Sequence, residues 1–240
     1  MGHSSVDDIF YYGGCVFMER YGNSFSFESH GISERACNLI IGFMLLWGFG
    51  LNYVMATFFS EPILCFIESM NPIVFLIGYV VCVLIGTLLI HKTGSVGSFI
   101  GYTLIAMPIG ILLCAFVDGI AVDTIRSAVF VTAIVTLTFM ILGTLFPKFF
   151  LKLGRVLLFA LIGLIIGELL STLLFRYYSG VYDWLAVGVF SLYVGFDWAK
   201  ANSLECTVNN AIDSAAELYL DIINLFIRIL SIMARSKSRD

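Results

Sequence analysis

The sequence predicts an all-α integral membrane protein with seven transmembrane helices, the seventh at the centre and the other six around it. Three observations carry that expectation. Of 240 residues, 60% are hydrophobic and 12% charged, roughly half the charge of a soluble domain, with mean hydropathy +0.97. The apolar residues fall into seven runs, each near the ~20 residues needed to cross a ~30 Å hydrocarbon core. The last run alone carries a stripe of acids, an amide and an arginine.

In chain order the runs are 37–59, 72–90, 97–117, 126–146, 155–176, 179–200 and 211–233. Each is expected to be helical, because lipid offers no water to satisfy an open backbone. The connections are short, so neighbours run antiparallel. Together, residues 37–233 form one bundle. Residues 1–36 make a polar, aromatic cytoplasmic tail with no run that resembles a cleaved signal. Residues 234–240 form a short C-terminal tail. Gly97/Gly101 and Gly163/Gly167 have the spacing of close helix contacts, and Pro108 is expected to bend segment three.

Orientation follows from lysine and arginine. Arg20, Arg35, Lys92, Lys148, Lys152, Arg155 and Lys200 fall on one side, against Arg126 and Arg176 on the other. That bias puts the N-terminus in the cytoplasm. Full spanning by segment seven leaves the C-terminal basic residues outside; a re-entrant segment returns them to the cytoplasm. The outer loops hold Glu61, Glu68, Asp118, Asp123 and Asp183. A ring of acids would concentrate cations at a mouth, although acids are also tolerated on that side without any role.

Segment seven contains "AAELYLDIINLFIRIL", from Ala215 to Leu230. At 100° per residue, Asp213, Glu217, Asp221, Asn224 and Arg228 lie in one stripe about 80° wide. A charge at a helix centre costs roughly 2.5–3.5 kcal/mol on insertion scales. The stripe must therefore face protein or water. A helix lying on the membrane surface is the competing reading, but such helices carry basic polar faces, and this one is mostly acidic.

Segment six ends in "VGFDWAK", which places Asp197 near its cytoplasmic end. In the linker "ECTVNNAID", Asn210 is the expected cap of segment seven, with Asp213 in capping-box position. A turn centred near Asn209 sets Asp197 and Asp221 at one depth on antiparallel helices. Two carboxylates in a low-dielectric site resist ionising together and share a proton. The pair is then a proton-sensitive latch; opened and deprotonated, it offers hard oxygen ligands to Ca²⁺. A permanent structural hydrogen bond between two helices is the alternative.

These residues carry a resemblance. "LYLDIINLFIRIL" (Leu218 to Leu230), preceded by "SLYVGFDWAK" (Ser191 to Lys200), resembles the C-terminal signature of the Bax inhibitor-1 family. The nearest functional analogue there is a bacterial calcium-leak member. The resemblance implies a central seventh helix and a pH-sensitive Ca²⁺ leak governed by a di-aspartyl pair, here Asp197 and Asp221. It also implies a basic latch at the cytoplasmic end of segment two, with His91 the first candidate and Lys92 the second. Two departures stand out. Val80 occupies the place of a family glutamate, while Glu168 sits inside segment five and Glu217 replaces a small polar residue. Glu168, Glu217 and Asn224 become candidate pathway lining, with Arg176 as another partner for Glu168.

Two functions follow: a proton-regulated cation leak with calcium as the transported species, or a non-conducting regulator that binds another membrane protein, such as a quality-control protease or a stress factor. Expected partners are the lipid bilayer, calcium or other cations, and that membrane protein. With no basic stripe, nucleic acid is not expected. No HExxH, GxSxG or P-loop points to an enzyme, and no cofactor is expected. The six cysteines show no metal-ligand spacing and read as small apolar thiols. Compact loops suggest a bacterial inner membrane, with the endoplasmic reticulum or Golgi as the alternative.

Overall fold

The structure is a computed structural model, and it describes residues 31–92, 94–175 and 180–237. Among them are eight helices and no strand. The helices are α1 (Glu34–Phe58), α2 (Ser60–Ser69), α3 (Pro72–Lys92), α4 (Ser95–Val117), α5 (Val122–Leu145), α6 (Pro147–Phe175), α7 (Val181–Ala201) and α8 (Val208–Lys237). Five of these, α1, α3, α4, α5 and α6, are long and apolar enough to cross a membrane.

Local chemistry sets the helix ends. Ser33 caps α1, its hydroxyl accepting from Ala36 N at 3.2 Å. Thr207 caps α8: its hydroxyl accepts from Asn210 N at 3.1 Å and its carbonyl from Ala211 N at 3.0 Å. The cap expected at Asn210 therefore lies three residues earlier, and Asn210 Nδ2 instead donates to Glu205 O at 2.8 Å. Gly119 turns α4 into α5 at φ 71°, a left-handed conformation that favours glycine.

Two helices differ from expectation. Helix α2 occupies a stretch read as a loop. It is ten residues long with none buried, too short to span. Helix α6 starts at Pro147, eight residues before the expected 155. Proline suits a first helical position, where its missing N–H would have had no intrahelical partner. Lys148, Lys152 and Arg155 thus belong to the first turns of α6 rather than to a loop.

Helix α8 is the core of the bundle. It packs against α1, α3, α4, α5 and α7, and no residue from Cys206 to Arg235 is exposed. Leu218, Tyr219, Leu225 and Leu230 are fully buried along it. It does not lie on a surface. Outward-facing Leu, Ile, Val and Phe side chains cover α1, α3, α5 and α6 instead, as a lipid-facing sheath requires.

Glycines permit the closest crossings, because a missing Cβ lets two backbones approach. A Cβ on Gly86 of α3 would stand 2.6 Å from Gly101 O of α4. One on Gly143 of α5 would stand 2.5 Å from Gly195 O of α7. The Gly163/Gly167 spacing does not mark a crossing of this kind: nothing lies within 4 Å of a Cβ on Gly163, and Gly167 meets the Tyr182 ring at 3.2 Å. Helix α4 runs through Pro108 without ending.

Candidate functional site: the polar seam between α7 and α8

The polar stripe of α8 faces α7 for most of its length and forms a seam with two ionic clusters. Near the cytoplasmic end predicted by the charge bias, Asp197 and Asp221 lie side chain to side chain, within hydrogen-bonding contact. They are 6% and 7% exposed. Asp221 Oδ2 has no hydrogen-bond partner among the described residues. Carboxylates only accept, so this pair bonds within itself only when one member holds a proton.

Three further groups surround the pair. Lys200 Nζ, one turn along α7 from Asp197, donates to Glu217 Oε1 at 2.6 Å and Oε2 at 2.8 Å. Glu217 is one turn along α8 from Asp221, so the two pairs stack in one antiparallel register. The Lys200 charge also acts on Asp197. Tyr193, on the other side of Asp197 along α7, feels both aspartates.

One further turn down α8, Asp213 lies 3.8 Å from His91 Nε2 at the end of α3. The His91 side chain is largely exposed, and its Nδ1 contacts Thr87 O at 2.8 Å. The histidine considered as a latch thus stands beside Asp213, while Lys200 is the cation at the aspartate pair. The Lys92 side chain falls outside the described ones. Asn224 spends its amide on its own helix, donating to Leu220 O at 2.7 Å.

The second cluster occupies the opposite end of the seam. Arg228 reaches Glu168 of α6 through two hydrogen bonds, Nη1 to Oε1 at 2.9 Å and Nη2 to Oε2 at 2.8 Å. The same Nη1 donates to Asp183 Oδ1 of α7 at 3.0 Å. Asp183 is fully buried and also pairs with Arg235, while Ser231 Oγ donates to its Oδ2 at 3.3 Å. Two expectations change here. Asp183 is no mouth acid in a loop; it sits in the first turn of α7, inside the bundle. Glu168 is held by an arginine of α8, and Arg176 lies outside the described residues.

Glu61, Asp118 and Asp123 remain outside the core. Asp123 meets Arg126 at 3.9 Å on an exposed helix end. No group of three or more His, Cys, Asp or Glu side chains converges in metal-binding geometry among the described residues.

A family model described as "Inhibitor of apoptosis-promoting Bax1" matches residues 34–239. No individual curated protein matches the chain. The matched span takes in every described helix and both clusters of the seam.

Proposed function

The chain belongs to the Bax inhibitor-1 family, and from that premise we propose that it is a proton-regulated cation leak, with Ca²⁺ as cargo, gated where Asp197 meets Asp221. One observation carries the reading: two carboxyl groups face each other, buried, on the central helix and its neighbour. A shared proton holds α7 to α8. When it leaves, two negative charges occupy one low-dielectric site and repel, so the helices part. The freed carboxylates are hard oxygen ligands for a passing divalent cation. His91, Glu217 and Asn224 flank that route. The role is not enzymatic.

The reading includes seven membrane crossings. Helices α7 and α8 add to the five apolar ones. At about 1.5 Å per residue, their 21 and 30 residues reach roughly 31 and 45 Å. Their charges find partners inside the bundle, so neither helix needs an apolar surface to cross. The N-terminus lies in the cytoplasm by the positive-inside rule, and a bacterial inner membrane suits the compact loops.

The outer cluster favours a second reading. Arg228 and Arg235 fill that end of the seam with fixed cations, as in a non-conducting regulator whose acids hold helices together. Ca²⁺ flux into liposomes from about pH 6 to 8 separates the two, because a carboxyl pair sharing one proton makes the leak depend on pH and leaves the regulator silent. The leak predicts flux that rises with pH and loses its pH dependence in Asp197→Asn and Asp221→Asn. A folded protein silent at every pH would leave the regulator.

A further inference from the structure

The start of α1 and the turn between α7 and α8 are joined at two points. Ile32 N donates to Cys206 O at 2.8 Å. Four residues beyond the Ser33 cap, the Cys37 side chain lies near enough to that of Cys206 to interact with it. Cys37 is buried in the core, Cys206 is partly exposed in the turn, and neither is in a disulfide. Cys65 and Cys82 lie on α2 and α3, and Cys114 is buried in α4.

We propose that Cys37 and Cys206 are a redox-active dithiol whose reversible disulfide ties α1 to the α7–α8 turn. The chemistry divides between an accessible and a buried sulfur. Hydrogen peroxide oxidises Cys206 to its sulfenic acid and is itself reduced to water. The Cys37 sulfur then attacks the Cys206 sulfur. The S–S bond forms as the S–O bond breaks, and the hydroxyl leaves with the Cys37 proton as a second water. A dithiol reductant reverses the bond by exchange. Both thiols lie at the end of the bundle that the charge bias assigns to the cytoplasm, where thiols rest reduced and disulfides are transient.

The location gives the bond its consequence. The turn at residues 202–207 connects the helices that carry Asp197 and Asp221. A covalent tie to α1 restrains the hinge about which those helices would separate. Formation of the bond does not depend on the protein conducting ions.

The test treats the full-length protein in lipid nanodiscs with hydrogen peroxide, then blocks remaining thiols and maps peptides without reduction. The expected result is a Cys37–Cys206 linked peptide that disappears with dithiothreitol and is absent in Cys206→Ser. Amide exchange at 202–207 should slow in the oxidised wild type and stay unchanged in peroxide-treated Cys37→Ser. Both cysteines recovered as alkylated monomers would overturn the proposal. So would linkage of Cys206 to Cys15, or oxidation that leaves exchange in the turn unaltered.

Discussion

The two ends of the α7–α8 seam hold ionic clusters of similar burial and different charge balance. At one end, Asp183 and Glu168 meet Arg228 and Arg235, two acids to two guanidiniums. At the other, Asp197, Asp221, Glu217 and Asp213 share Lys200 and a largely exposed His91. Arginine stays charged at any working pH and binds carboxylates through a planar fork, so the balanced end needs nothing from solution. The acid-rich end can balance its charge only by taking up protons or cations. A buried acid is structural or responsive according to what neutralises it.

The sharpest way to break that contrast is to remove the fixed cation. Arg228→Ala leaves Glu168 and Asp183 short of a partner, and stripping one member from a buried ion pair costs about 3–5 kcal/mol. Denaturant unfolding in detergent should show that loss, with partial recovery in Arg228→Lys. A loss below about 1 kcal/mol would place the cluster among pairs that solvent screens. A smaller effect is expected at the other end. The Lys200 and Glu217 side chains are each about one-third exposed, so Lys200→Met should cost about 1 kcal/mol or less. Arg126→Ala sets the baseline: its 3.9 Å contact with Asp123 joins side chains 78% and 88% exposed, and stability should stay within about 0.5 kcal/mol.

What could be read from the sequence depended on the distance between partners. The α7–α8 hairpin is local and antiparallel, so the depth of Asp197 against Asp221 followed from their distances to one turn. The same reasoning reaches Lys200 and Glu217, a pair centred on the same residues, and their opposite charges are the signal that would have found it. The register also reaches Asp183 and Arg235, each 26 residues from Asn209 and opposite in charge, but Asp183 was read as a loop acid and so was never placed on the helix face that carries it. Helix α2 was hidden by its length and by Pro62, which belongs equally to a loop. The early start of α6 was masked by Lys148 and Lys152, read as loop charges although Pro147 marks a helix start.

The enclosure of α8 bears on how the protein is made. Its acids, amide and arginine make it a poor substrate for insertion as an isolated helix. It is also synthesised after the helices that surround it. It therefore meets a protein environment already present, with α7 beside it, where its charges find partners. A chain stopped before α8 would leave a sheath without its axis, and Asp183 and Glu168 without Arg228. Synthesis of α8 is thus also the step that neutralises Asp183 and Glu168 in the interior.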